Sequence, residues 1–314
     1  SKMAKTFPAV TVSGILESGK TTFINDSLKN GDFGDLGRVL ILATEDGEIE
    51  FNPAFLAKYN AVFYSFSSPE EFTVEKINEL IKVNKPHCLF IEENAMWDWS
   101  AIKLPPYIII EQAFTIIDAT TFKVYFNNMR QKFSDMLQKS TIVIMNRAEE
   151  TSEMAGFKRN LRVMNKDAYI IVNDKNGKQI SFAEELPYKI SDEMTIKDAD
   201  FGIFYIDTFD NMARYNEKIV EFNCMTMISK QLPKNTFVAG RLAMTCCAND
   251  IQLIGHLCSY SAEQAKYIEN KGWAHVKAKV HYLDVGEDEP QLVFELLDIK
   301  QIPEIAEPVV SLTQ

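Results

Sequence analysis

Apolar and polar positions change their rhythm once along this chain. Up to about residue 175, short continuous apolar runs alternate with amphipathic stretches; the runs are 9–12, 39–42, 61–64, 88–91, 114–117, 141–144 and 169–172. Apolar runs without polar alternation fit strands buried on both faces. Between Pro69 and Val83, Phe72, Ile77, Leu80 and Ile81 recur at helical spacing. The alternation predicts an α/β domain with a mainly parallel sheet and helices on both faces. Residues 173–177 form a turn cluster, and Glu184-Glu185-Leu186-Pro187 stops any continuing helix. From Lys218 the period becomes two, in segments 219–227, 237–246, 252–258, 274–282 and 291–297. Five such strands predict a smaller, mostly-β, barrel-like domain of the oligonucleotide-binding (OB) type. The expected division is 1–175, a connecting segment 176–215, and 216–314, with no internal repeat.

The first predicted strand runs into Gly14-Ile15-Leu16-Glu17-Ser18-Gly19-Lys20-Thr21, which satisfies G-x-x-x-x-G-K-[ST] in full, and residues 22–28 can continue as a helix. Glycines at these positions let the backbone amides curl toward phosphates, and the following helix N-terminus adds positive potential. The expected P-loop contacts are Gly14, Glu17, Ser18, Gly19, Lys20, Thr21 and Thr22. Lys20 would meet the β- and γ-phosphates, and the Thr21 hydroxyl would ligate magnesium. The run 88–91 ends in Glu92, the acid expected to complete the magnesium shell; strand alternation turns Glu93 the other way. Lys20, Thr21 and Glu92 are thus the expected catalytic set. Asn146-Arg147-Ala148-Glu149 follows another apolar run and has the layout of the guanine-reading N-K-x-D motif, with Arg147 and Glu149 as substitutions.

Composition narrows the partners. The net charge is -11 and the pI near 5.0, which disfavours nucleic acid, whose phosphates need a basic surface. No apolar run approaches the ~20 residues of a membrane helix, so no membrane insertion is expected. With no signal-like stretch at the start, a cytoplasmic location is expected. Cys88 and Cys224 sit in apolar runs and read as core. Cys246, Cys247 and Asp250 form a candidate zinc-like site, because soft thiolates with a carboxylate suit that ion. A hairpin of 237–247 with 251–258 would carry Cys258 and His256 away from it, leaving three ligands and an open position. A packed cysteine beside a surface thiol stays open as the alternative. His87, His275 and His281 read as structural. Glu45, Asp46, Glu48 and Glu50 form an acidic run that is either a solvated loop or a segment sensing the γ-phosphate.

The first half resembles the CobW-type GTPases, relatives of the nickel-insertion GTPases of urease and hydrogenase maturation. The P-loop with Thr22 resembles G-F-L-G-S-G-K-T-T, and the segment 43–49 resembles N-E-x-G-E-[VI]. Ile91-Glu92-Glu93-Asn94-Ala95 corresponds to E-[ST]-[ST]-G, Ile117-Asp118-Ala119 with Phe122 to V-D-A-x-x-F, and Asn165-Lys166-Asp167-Ala168 to N-P-x-A. Three departures stand out. The family's C-x-C-C motif is missing, Ala95 replaces a glycine, and Asn146-Arg147-Ala148-Glu149 replaces N-K-x-D. An alanine would be strained if that position needs positive φ. The second half resembles a bacterial domain of unknown function, also found in the soluble partner of a proposed two-gene membrane permease. Its R-x-x-x-[ST]-C-C-x-x-D pattern is met by Arg241, Thr245, Cys246, Cys247 and Asp250. The resemblance implies a GTPase fused to, or evolved with, this module, and supplies no activity for the module itself. Together with the cysteine chemistry, the expected function is a GTP- and magnesium-binding GTPase that couples nucleotide state to handling or delivery of a zinc-like metal, in the manner of a metallochaperone with a client metalloprotein. The alternative is a non-hydrolysing nucleotide-binding regulatory or assembly partner, with a membrane permease as its associate.

Overall fold

The computed structural model describes residues 5–44, 49–149, 151–181, 186–244 and 251–311. They fall into two compact units, one of 1–154 with 164–182, the other of 155–163 with 183–314.

The first unit contains β1 (Phe7–Ser13), α1 (Lys20–Asn30), β2 (Val39–Ala43), α2 (Pro53–Lys58), β3 (Ala61–Ser65), α3 (Val74–Asn84), β4 (Cys88–Glu92), β5 (Ile108–Asp118), α4 (Phe122–Asn128), α5 (Arg130–Lys139), β6 (Ile142–Asn146), the ends of α6 (Ser152–Met164) and β7 (Tyr169–Val172). The sheet order is β3-β2-β4-β1-β5-β6-β7, and every pairing is parallel. Alternation sorts the strand side chains into two cores. Val10, Val12, Ile41 and Phe90 pack with Ile24 of α1 and Leu56 of α2. Ala9, Leu40, Leu42, Leu89 and Ile91 pack with Ile77 and Leu80 of α3. Helices therefore cover both faces, and the continuous apolar runs are doubly buried strands. Local signals set the helix starts: the Thr73 side chain accepts from the Lys76 amide at 3.1 Å, and Asn52 accepts from the Phe55 amide at 3.0 Å before Pro53. β5 begins at Ile108, earlier than the run 114–117 suggests, because Glu111 and Gln112 interrupt its apolar pattern.

The second unit contains β8 (Glu193–Thr195), α7 (Phe201–Asp210), β9 (Ile219–Met227), β10 (Thr236–Met244), β11 (Ile251–Ser259), β12 (Gly272–Leu283), β13 (Gln291–Gln301) and β14 (Val309–Ser311). Its sheet runs β14-β10-β11-β13-β12-β9-β8, and an added β9–β10 pairing closes β9 to β13 into a five-strand barrel. Within the ring only β11 and β13 are parallel. This is the ring order β9-β10-β11-β13-β12 expected of an OB-type barrel. Inward positions of β9 are buried at every second residue, Val220, Phe222, Cys224 and Thr226. Gly240 and Gly255 face each other across β10 and β11. A Cβ on Gly240 would come within 2.2 Å of the Ile254 carbonyl oxygen, so the two backbones approach too closely for a side chain. The segment 176–215 is more than a connection. It carries β8 and α7, and Phe201, Phe204 and Tyr215 lie in the barrel unit's core. The hydrophobicity of α7 on most of its faces, which hid any helical stripe, reflects that burial.

Candidate functional site

β1 delivers the chain into the P-loop, and α1 leaves it. Gly14 sits at φ 155, and a Cβ there would meet Ser18 Oγ at 2.4 Å and the Ile116 carbonyl oxygen at 2.6 Å. Glu17 and Gly19 take positive φ of 65 and 102. Gly19 caps α1 with no side-chain hydrogen bond, so the helix begins with its amide end presented to the loop, as anion sites require. Lys20 is 4% exposed, and its ammonium donates to the Gly14 carbonyl. A buried ammonium folded onto its own loop is a group suited to exchange that carbonyl for phosphate oxygens.

Glu92 ends β4 at a position level with Val12 of β1. It is 2% exposed, and the Thr21 hydroxyl donates to its Oε2 at 2.7 Å. That bond turns the hydroxyl hydrogen toward the acid and leaves the Thr21 oxygen lone pairs for a cation. Two hard oxygens at this spacing fit magnesium, which favours few protein ligands and keeps its waters. Ser18 Oγ is buried without a hydrogen-bond partner, and phosphate oxygens are acceptors suited to such an orphaned hydroxyl.

A cavity of about 500 Å³ opens at the loop, lined among others by Glu17, Lys20, Thr21, Asp118, Tyr125 and Arg147. Asp118 ends β5 opposite Asn146 of β6. Its Oδ1 accepts from the Thr120 amide at 2.9 Å and the Thr120 hydroxyl at 2.7 Å. Its Oδ2 holds the Arg147 guanidinium at 2.5 Å. Arg147 takes positive φ, a turn that places it over the cavity. Of the three residues expected to read guanine, Arg147 lines the cavity, whereas Asn146 and Glu149 do not. Asn146 Oδ1 accepts from Asn173 Nδ2 at 3.0 Å, and Glu149 is exposed. Asp118, Thr120 and Tyr125 were not among the sequence candidates. The signal for Asp118 was present, an apolar run ending in an acid, as in Glu92.

Thr44, at the end of β2, fastens the neighbouring strand ends. Its hydroxyl donates to the Glu92 carbonyl at 2.6 Å and accepts from the Asn94 amide at 2.7 Å. Glu45, Asp46 and Glu48 lie outside the described residues. Ala95 is not among the described residues with positive φ, so the strain expected of an alanine there does not arise.

Thr245, Cys246, Cys247 and Asp250 also lie outside the described residues. Cys88, Cys224 and Cys258 are free and buried. Burial pushes the Cys224 thiol up to about 12 and, with Glu111 nearby, that of Cys88 up to about 11; both are inert packing groups at neutral pH. Cys258 pairs with Phe237, at the other end of the hairpin from Met244 and Ile251. His256 Nε2 meets the Thr208 hydroxyl at 3.0 Å, and its ring packs on Tyr205, Phe209 and Phe294. Among the described residues no group of three or more His, Cys, Asp or Glu side chains is placed to hold a metal. No described helix is long and apolar enough to cross a membrane.

Comparison with known proteins agrees with this geometry. The model of the CobW/HypB/UreG nucleotide-binding domain matches residues 8–172, and that of the DUF1980 C-terminal domain matches residues 171–310. No curated protein matches the chain. Among solved structures, hydrogenase maturation factor HypB from Archaeoglobus fulgidus is 18% identical, with 55% of this chain and 84% of that one covered and a TM-score of 0.40. Zinc-bound YjiA GTPase from E. coli is 11% identical, with 80% and 89% covered and a TM-score of 0.40. HypB from Helicobacter pylori in complex with nickel is 13% identical, with 54% and 80% covered and a TM-score of 0.36. The P-loop, the acid at the end of β4 and the match over residues 8–172 lead to one assignment: the chain belongs to the CobW/HypB/UreG nucleotide-binding domain family, and the residues behind that domain match the DUF1980 C-terminal domain model.

Proposed function

We propose that the protein is a magnesium-dependent GTPase whose nucleotide state governs the handling of a zinc-like metal by its second unit. The observation that carries the nucleotide half is the bond from Thr21 to the buried Glu92 beside the P-loop cavity. Lys20 would leave the Gly14 carbonyl for the β- and γ-phosphates, and the loop amides with the α1 N-terminus would hold the remaining oxygens. Glu92 keeps Thr21 oriented. Magnesium, when bound by Thr21 and the Glu92 shell, supplies neutralisation of the charge that builds on the phosphates. Guanine preference in this reading is modest, because Asn146 is tied to Asn173 and Glu149 is exposed outside the cavity lining.

The metal half rests on the chemistry of Cys246, Cys247 and Asp250, two thiolate donors and a carboxylate within five residues. Three ligands would leave a position open for release. A cytoplasmic location and a client metalloprotein belong to this reading. A second reading is favoured by the missing cysteine motif between β2 and α2: a nucleotide-binding regulatory or assembly partner that hydrolyses negligibly, with a permease as associate. Single-turnover hydrolysis of GTP with magnesium, with and without zinc, separates the two. Release of phosphate that needs magnesium and falls at least tenfold in Thr21→Ala is the expected result. GTP that binds but stays intact over hours would overturn the GTPase in favour of the second reading. Stoichiometric zinc lost in Cys246→Ser with Cys247→Ser, with GTP binding kept, is expected of the metal half; no zinc binding by the native protein would remove it.

A further inference from the structure

Glu93 is a buried carboxylate that the nucleotide site does not use. It is 8% exposed, and its amide still donates to the Val12 carbonyl of β1 at 2.8 Å. Extended backbone sends successive side chains to opposite sides, so Glu92 turns to Thr21 and Glu93 turns away. Its Oε2 accepts the Ser13 hydroxyl at 2.6 Å and lies 3.8 Å from Lys139 Nζ. Both contacts fall on the same oxygen, which leaves Oε1 as an acceptor. The Lys139 side chain is 51% exposed, so this ion pair is loose and open to competition. Removing a carboxylate from water is unfavourable unless it is closely paired. One hydroxyl and a distant, solvated ammonium compensate only part of that.

Ser13, Glu93 and Lys139 line a second cavity of about 690 Å³, together with Trp97 and Trp99. The two indoles stack with centroids 5.8 Å apart and planes at 22°. They are held in place. Trp99 packs edge-on against Phe72 at 5.4 Å, and its Nε1 donates to the Asn94 carbonyl at 2.8 Å. The other carboxylates at the cavity are engaged locally, Asp98 with the Ser100 hydroxyl and amide and Asp135 with Gln131. A desolvated carboxylate that shares a cavity lining with two fixed indoles is the chemistry that recognises an organic cation. The volume is that of a small-molecule site.

We propose that this cavity binds an alkylguanidinium or alkylammonium group, ion-paired to Glu93 in place of Lys139 and packed on Trp97 and Trp99. The group has two sources, a free small cation or the side chain of an arginine or lysine in another protein. The proposal is independent of the nucleotide and is tested without it.

Calorimetric titration of the full chain with butylguanidinium, and with a capped Gly-Arg-Gly peptide, is the experiment. Saturable binding is expected for at least one probe, with tryptophan fluorescence changing in step. Glu93→Gln should weaken it at least about tenfold, the size of a hydrogen bond to a charged group. Lys139→Met, at a half-exposed position, should tighten it severalfold by removing the competitor; a merely structural Glu93 would not produce these opposite signs. An unchanged far-UV circular dichroism spectrum and urea unfolding midpoint in both variants check that the fold is intact. Tighter binding of the peptide assigns a protein partner, and tighter binding of butylguanidinium a free cation. The proposal is overturned if neither probe binds below about millimolar, if neutral butylurea binds as well, or if Lys139→Met weakens binding as Glu93→Gln does.

Discussion

In the barrel unit Arg241 is 2% exposed, and its guanidinium donates to the carbonyls of Pro308, Asp198 and Glu307 while lying over the rings of Phe201 and Trp273. Asp207 there accepts from Asn211, Arg214 and Tyr215. In the P-loop unit the buried Ser18 hydroxyl has no partner, and Lys20 turns back on the carbonyl of its own loop. Buried polar groups that are fully satisfied by fixed neighbours hold structure together and have nothing left for a ligand. A desolvated group without a partner, as the Ser18 hydroxyl is, is poised for one. The difference distinguishes the Arg241 cluster from the P-loop even though both are polar, buried and picked out by sequence motifs.

The largest test removes the closed cluster. Arg241→Met removes a buried guanidinium with its three hydrogen bonds to carbonyls and should cost about 3 kcal/mol of stability, at roughly 1 kcal/mol per hydrogen bond. Urea unfolding followed by tryptophan fluorescence reads it, and a loss below about 1 kcal/mol would mean that the cluster is not structural. Next comes the open cluster. Lys20→Ala should weaken GTP binding by about ten- to a hundredfold through lost charge-assisted bonds, with the unfolding midpoint little changed. Unaltered GTP affinity by calorimetry would remove Lys20 from the site. A smaller effect concerns the base: GTP should outcompete ATP by roughly tenfold or less, since Asn146 and Glu149 stand off the cavity. A preference above about a thousandfold would mean that both move in to read guanine.

The smallest effect comes from the barrel surface. His281 donates to Glu295 and Glu217 at 2.8 and 2.9 Å. These bonds, Glu295 foremost, raise the His281 pKa above 6.5. The bond from His281 foremost, then that from Lys279, lowers the Glu217 pKa below 4.5. A raised histidine stabilises fully below its unfolded value, and the contribution is lost as pH rises through the folded one. A lowered carboxylate stabilises above its unfolded value, and the contribution is lost as pH falls through the folded one. The two overlap between about pH 4.5 and 6.5. His281→Gln should therefore differ from the native protein most in that window, and the gap should shrink as pH rises above it. An unfolding midpoint gap that grows toward pH 8 would contradict the assignment.

The seven strands of the first sheet and the five of the barrel were legible because each carries its own hydrophobic rhythm, local in sequence. The P-loop and Glu92 were legible for the same reason, as a loop motif and a strand end. Asp118 carried the Glu92 signal but needed the β5–β6 register to be seen beside Arg147. α7 was hidden because a helix buried on most sides shows no stripe. The Glu93 cavity could not be read at all. Strand alternation gave the direction of the side chain, but the ammonium beside it comes from Lys139, 46 positions away in the chain, and the stacking of Trp97 on Trp99 is a tertiary contact that no local pattern announces.

The Gly240–Gly255 pair also bears on how the barrel finds itself. Slipping β11 by two residues along β10 would keep every apolar side chain on its proper face, so hydrophobic alternation alone does not forbid it. It would, however, set Leu253 or Leu257 against Gly240 in place of Gly255. A Cβ on Gly255 itself would already come within 2.7 Å of the Gly240 α-carbon, so a larger residue has no room unless the strands part. Two residues without side chains thus act as a key that only one alignment turns. Gly255→Ala should leave the finished barrel strained and, more tellingly, should slow refolding by letting mispaired hairpins compete.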